Sequence, residues 1–263
     1  MDVYQTLNIE KKSGVTTLWM NRPEVYNAFD ERLIAELSAV LTELELDAET
    51  KILVLAGRGK HFSAGADLNW MKRAAMMSDE ENLADAKRFA SMLYQLAHFP
   101  KPTIARIQGA ALGGGTGLGA ACHIAIAADN ARFATSEVKF GIIPAVISPY
   151  VLRAIGEREA MRYFQTAEII SADEALRIHL IHQVVPLETL DEAITGMADS
   201  LKIGGPHAQR AALELIQSIG NMPLDEAVIE ATAKRITAQR NTDEAREGMD
   251  AFFEKRSPNW VHS

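Results

Sequence analysis

Twice in this chain an apolar run ends in a cluster of small residues and then gives way to a helical pattern: VLAGRGKHFSAGADL at 54–68 and ARIQGAALGGGTGLG at 105–119. Such a run, without alternation, is the mark of a strand buried on both faces. Glycine accepts backbone angles that other residues refuse and lets another group approach the main chain closely. The first turn of a helix carries N–H groups with no internal partner, at the positive end of the helix dipole. Two such turns brought together present two convergent N–H donors to one oxygen. That arrangement suits a reaction that puts negative charge on a carbonyl oxygen, as a thioester enolate does. A carboxylate near the adjacent carbons then moves the protons, and Glu137 is the candidate. On the residues alone, two packing turns and a solvated glutamate remain the competing reading.

The rest of the chain frames these turns. Residues 3–9 and VTTLWM (15–20) read as a β-hairpin across a KKSG turn. Asn27 and Asp30 offer N-cap oxygens to a helix whose Leu33, Ile34, Leu37, Leu41 and Leu44 recur at helical spacing. KILVLAG (51–57) is a strand, followed by a loop and a long helix at about 79–97. TIARIQG (103–109) and HIAIAAD (123–129) are strands, with a helix opened by the glycines between them; ARFATSEVKFGIIP is irregular or short strand. From Ser148 the pattern is almost wholly helical, HQVV (182–185) being the one late strand. Strand and helix alternate over the first 150 residues and helices follow, which predicts an α/β core with a helical C-terminal region. The apolar stripes there, Leu213, Leu215, Ile216 and Ile219, then Ala227, Ile229 and Ile236, pack on their own core or on a partner subunit.

Composition narrows the classes. A net charge of −8 lacks the basic stripe of a nucleic-acid binder. One cysteine, Cys122, leaves no disulfide framework and no thiolate metal cluster. No apolar stretch is long enough to span a membrane, and the start MDVYQTLNIEKKSG has no signal-peptide pattern, so a cytoplasmic protein is expected. His179 and His182 lack a third ligand, so no metal is expected. Neither a GxSxG nor a Walker A pattern occurs. Residues 115–120 (GTGLGA) match the nicotinamide fingerprint, but far from a first βαβ unit and with the FSAGAD turn unexplained.

NRPEVYNAF (21–29), HFSAGADL (61–68), GAALGGGTGLGAAC (109–122) and SEVKFGIIP (136–144) together resemble the enoyl-CoA hydratase/isomerase (crotonase) superfamily over nearly the whole chain. The resemblance implies an α/β fold, a ββα spiral core at 1–200 carrying the acyl-CoA site, with a helical trimerisation region at 201–263. It implies a homotrimer or dimer of trimers and an acyl-CoA thioester substrate, with no separate cofactor because coenzyme A belongs to the substrate. Ala66 and Gly114 would give the two oxyanion N–H groups, and Glu137 would exchange a proton at the α carbon. Ala64, Gly65, Asp67, Leu68, Gly113 and Val25 would lie along the substrate. This sequence departs from the family pattern at four places: Gly117 stands where two-acid hydratases carry their other glutamate, AVISPY replaces a glycine-rich stretch, His123 replaces a common aspartate, and Glu24 replaces a basic residue. GADLNWMK with GIIPAVISPYVLRAIGEREAMRYF resembles the methylglutaconyl-CoA hydratase branch of leucine breakdown, and also the isohexenylglutaconyl-CoA hydratases. A lone Glu137 also suits a Δ3,Δ2-enoyl-CoA isomerase. For a dicarboxylate substrate, Lys72, Arg73 and Lys139 are the candidate cations.

Overall fold

The structure is a computed structural model and describes residues 4–220 and 222–261. It opens with β1 (Leu7–Lys12) and β2 (Val15–Met20), paired antiparallel from Leu7 opposite Met20 to Lys12 opposite Val15. Residue 3 of the expected strand lies outside the described residues. The lysines read as turn residues are extended and paired, because Ser13 and Gly14 supply the two positive-φ positions of a tight hairpin.

The helix α1 (Glu31–Leu46) is capped by Asp30, whose carboxylate accepts from the Leu33 amide at 2.8 Å. Asn27, the other expected cap, is fully buried and bonds instead to Arg22 N–H and the carbonyls of Arg58 and His61. Its side chain thereby ties the 22–29 loop to the 58–61 loop. The buried face of α1 is Leu33, Ile34, Leu37, Val40, Leu41 and Leu44, the predicted stripe with Val40 added.

Beyond β3 (Ile52–Gly57), buried at every position, come α2 (Leu68–Ala74) and α3 (Asp79–Ala97). Ser78 and Glu81 close a capping box at the start of α3. Next are β4 (Thr103–Ile107), β5 (Ala110–Leu112), α4 (Gly114–Ala121), β6 (Ile124–Ala128) and β7 (Arg132–Ala134). Then follow α5 (Ser148–Thr166), broken at Gly156, β8 (Ile170–Ser171), α6 (Ala172–Arg177), β9 (Gln183–Val185) and α7 (Leu190–Lys202). One sheet runs β1-β2-β3-β4-β6-β9, parallel beyond the first hairpin, and a second runs β5-β7-β8. β4 and β5 lead into α4, and β6 and β7 lead through a short 3₁₀ turn into α5, the strand–strand–helix succession expected of a ββα core.

The chain divides into two compact units: Met1–Phe99 with Thr103–Thr195, and Pro100–Pro102 with Gly196–Ser263. The second unit contains α8 (Pro206–Ile219), α9 (Glu226–Arg240) and α10 (Asp243–Glu254). Within it the Glu244 carboxylate accepts from the His207 and Ala208 amides at the start of α8. No described helix is long and apolar enough to cross a membrane.

Candidate active site

The two glycine turns meet because the loop after β3 lies along β5. Ser63 N–H donates to Ala110 O at 3.0 Å, and Leu112 N–H donates to Ser63 O at 2.9 Å, a parallel bridge centred on Ser63 and Ala111. Gly65, at φ +93°, passes so close to the second turn that a Cβ there would lie 2.9 Å from Leu112 O. Two further side chains hold this junction. The Gln108 amide donates to the carbonyls of Gly57 and Gly59, and His61 Nδ1 accepts from Ala110 N–H at 2.9 Å.

In the first turn, Ala64 N–H donates to Tyr26 O, and Asp67 N–H donates to Phe29 O, while Phe29 N–H reaches Gly65 O. The amide of Ala66, between these, has no acceptor among the described residues. In the second turn Gly113 takes φ +48° and its N–H goes to Ala134 O at 2.8 Å. Gly114 is the first residue of α4, and its N–H is one of those a helix leaves without an internal partner. The buried Thr116 hydroxyl donates to Ala111 O at 2.7 Å and fixes the helix start on β5.

These turns form one wall of a cavity of about 710 Å³. Ala64, Gly65, Ala66 and Leu68 line it from the first turn, and Gly113 and Gly114 from the second. Glu137 lines it from a short 3₁₀ turn, Glu137–Phe140, placed by β7. Its carboxylate lies over Gly113: a Cβ on that glycine would stand 3.1 Å from Glu137 Oε1. Glu137 Oε2 is buried and, among the described residues, the one side-chain polar atom of that kind without a hydrogen-bond partner. Burial pushes the Glu137 carboxyl above the ordinary range, against a smaller pull downward from its own backbone amide. A carboxyl so placed exchanges a proton more readily near neutral pH than a solvated one.

Two expected residues do not reach this cavity. Val25 lies in a 3₁₀ turn, Pro23–Val25, and is not part of the lining. The Asp67 side chain faces away and caps α2, accepting from Asn69 N–H at 2.8 Å and Trp70 N–H at 3.3 Å, with Arg22 3.3 Å from its other oxygen. Burial raises the Asp67 carboxyl, but those amides and Arg22 outweigh it and hold the group below its usual value. Asp67→Ala therefore destabilises the fold by about 1 kcal/mol, and Asp67→Asn by less; denaturant titration of the two variants checks this.

The remaining walls, apart from Asn82 and Ser136, are apolar, and the sequence does not mark them as a site. Phe29, Phe89 and Trp70 pack ring against ring, at 5.3 Å for Phe29–Phe89 and 6.4 Å for Trp70–Phe89. The Trp70 indole donates to the buried Asp85 carboxylate at 3.0 Å, which fixes its ring in the wall. Met71, Ala74 and Ala75 continue this side, and Ile142, Ile143, Val146 and Ile147 close the opposite one. The sequence marks a long helix at 79–97, but nothing in it shows that Phe89 ends in the cavity. None of the candidate cations lines it: Lys72 and Lys139 are exposed, and Arg73 is paired with Glu31 at 2.7 and 3.0 Å.

Other sequence features have structural places. Residues 115–120 all lie within α4, so GTGLGA is a packing pattern rather than a phosphate loop; a Cβ on Gly115 would meet Ser63 O at 2.5 Å. Cys122 is buried, and burial pushes its thiol up to about 12. His182 Nδ1 accepts from the Ala125 amide, beside β6 and β9. His123 Nδ1 accepts from Thr103 N–H and thereby ties β4 to the start of β6.

The sequence profile of the family described as Enoyl-CoA hydratase/isomerase matches residues 10–263. The chain is 33% identical to a crotonyl-CoA hydratase of Syntrophomonas wolfei over 98% of each chain. Among solved structures it is similar to an enoyl-CoA hydratase of Shewanella pealeana, 44% identical with a TM-score of 0.95, covering 98% of this chain and 96% of that one. An enoyl-CoA hydratase of Bacillus anthracis, 31% identical, superposes with a TM-score of 0.90 over 98% of this chain and the whole of the other.

Proposed function

The chain belongs to the enoyl-CoA hydratase/isomerase family, and on that premise we propose that it adds water across the 2,3 double bond of an enoyl-CoA thioester. The observation that carries this reading is the position of Glu137: its buried oxygen lines one cavity with Ala66 and Gly114, and neither that oxygen nor the amide of either residue has a partner among the described residues. With the thioester oxygen on those two amides, the double bond is polarised toward the carbonyl. Glu137 takes a proton from water as the oxygen adds to C3, and the enolate charge that forms rests on the two N–H groups. The protonated Glu137 then returns its proton to C2. One carboxyl serves as base and acid in turn, and its raised pKa suits both halves.

For the acyl group, likeness in GADLNWMK and GIIPAVISPY supports 3-methylglutaconyl-CoA, an intermediate of leucine breakdown. A second reading follows from the cavity itself. Apart from Asn82, Ser136 and Glu137, its lining is aromatic, aliphatic or glycine and holds no cation, which suits a neutral acyl chain better than a second carboxylate. Assembly into trimers belongs to the same proposal; Phe252, Phe253 and Ile229, exposed on the C-terminal helices, are residues such an interface would cover.

A kinetic panel tests this, with hydration read from loss of the conjugated enoyl-thioester absorbance. Hydration of 3-methylglutaconyl-CoA with a kcat/KM well above that for crotonyl-CoA supports the dicarboxylate substrate; the reverse order supports the neutral one. Conversion of a 3-enoyl-CoA to its 2-enoyl isomer without hydration of any 2-enoyl-CoA, glutaconyl types included, overturns the hydratase reading in favour of an isomerase.

A further inference from the structure

On α4, residue 117 lies three and four positions beyond Gly114 and Gly113, so all three share one helix face. Gly113 and Gly114 line the cavity, yet Gly117 does not. What stands over it is Ile147. A Cβ on Gly117 would lie 2.3 Å from Ile147 Cγ2 and 2.7 Å from Ile147 Cβ, so the isoleucine side chain fills the notch that the missing side chain leaves. Ile147 itself lines the cavity and is only 2% exposed. Its backbone is held at the start of α5, where its carbonyl accepts from the Tyr150 and Val151 amides at 3.2 Å each. A β-branched side chain on a fixed backbone has little rotamer freedom to withdraw.

We propose that Ile147 is a specificity-determining residue, setting how much bulk the acyl group can carry at and beyond C3. At 1.5 Å per residue, Gly117 lies about 4.5 Å along α4 from Gly114, whose amide receives the thioester oxygen. That distance is a few carbon–carbon bonds, so Ile147, which lines the same cavity, stands close enough to the carbonyl position for an acyl chain to reach it at or just beyond C3. The Ile147–Gly117 pair also explains why Glu137 works alone: no side chain fits at 117 while Ile147 occupies the notch. The inference rests on the acyl-CoA reading above but not on which reaction follows binding.

The test therefore uses saturated thioesters that cannot react. Butyryl-CoA and 3-phenylpropanoyl-CoA, small and bulky at C3, are titrated calorimetrically into the wild type, Ile147→Val and Ile147→Ala. Shortening the Ile147 side chain is expected to shift the Kd ratio toward the bulky thioester by at least about tenfold in Ile147→Ala, which also takes Cγ2 out of the notch, with a smaller shift of the same sign in Ile147→Val, which loses only the outer methyl and keeps Cγ2 over Gly117. Should Ile147→Ala not fold, the removal of one methyl in Ile147→Val decides alone, a shift of about threefold supporting the inference. An unchanged ratio in the folded variants overturns it. A wild type that binds neither thioester overturns the acyl-CoA reading and this inference with it. A wild type that binds both but hydrates no 2-enoyl-CoA overturns the reaction alone.

Discussion

Glu137→Gln is expected to lower kcat by about 10²–10⁴, the usual share of a positioned acid–base group, while Kd for acyl-CoA stays within a few-fold. The amide has nearly the shape of the carboxyl, and in the proposed complex the thioester oxygen would be held by backbone N–H groups that the substitution does not touch. The same variant has a stability signature. Burial raises the Glu137 pKa in the folded state, so between the ordinary carboxylate value and that raised value the folded chain binds more protons than the unfolded one. Stability then falls as pH rises through that window, and above it the wild type carries the cost of a partly buried carboxylate whose Oε2 has no partner among the described residues. Glutamine carries no charge there. Glu137→Gln is expected to be more stable than the wild type at neutral pH, with the advantage fading as pH falls to the ordinary carboxylate range. Thermal melts across pH read the second effect and steady-state kinetics the first. Retained turnover removes Glu137 from the chemistry, and a variant less stable than the wild type at neutral pH contradicts the burial argument.

Gly114 tests the other half of the site. Any residue with a Cβ there meets Phe89 Cζ at 3.0 Å and the Phe29 ring at 3.1 Å, so both Gly114→Ala and Gly114→Pro crowd the cavity wall. Only the proline removes the N–H. Because Gly114 is the first residue of α4, where a proline fits without breaking a helical hydrogen bond, the helix itself is expected to survive. The difference between the two variants isolates the donor: Gly114→Pro is expected to lose about 10²–10³ more in kcat than Gly114→Ala. Equal losses from the two substitutions mean that crowding, not the oxyanion contact, governs the position.

Much of this was legible in local sequence. The stripe on α1, the extent of α3, the continuous apolar run of β3 and the two glycine turns were all readable from spacing and residue type. The strands β5 and β8 were not, because three and two residues are too few to show a period. Asn27 read as a cap since its residue type favours caps. It is instead a buried tie between two loops, and only the position of Arg58 and His61 beside it decides that. Asp67 sits in a motif that resembles a substrate-binding segment, yet its carboxylate is turned onto α2 and Arg22.

The division has a physical cause. Caps, helical stripes, positive-φ turns and buried strand runs arise between residues within a few positions of each other, so the sequence alone determined them, along with Glu137 as the acid worth testing. The site arises from contacts between distant segments: Ser63 on β5, the Glu137 carboxylate over Gly113, Ile147 over Gly117. No local pattern encodes which packed surfaces meet. Only the tertiary structure decided that Ala66, Gly114 and Glu137 line one cavity, and that an isoleucine fills the place beside them.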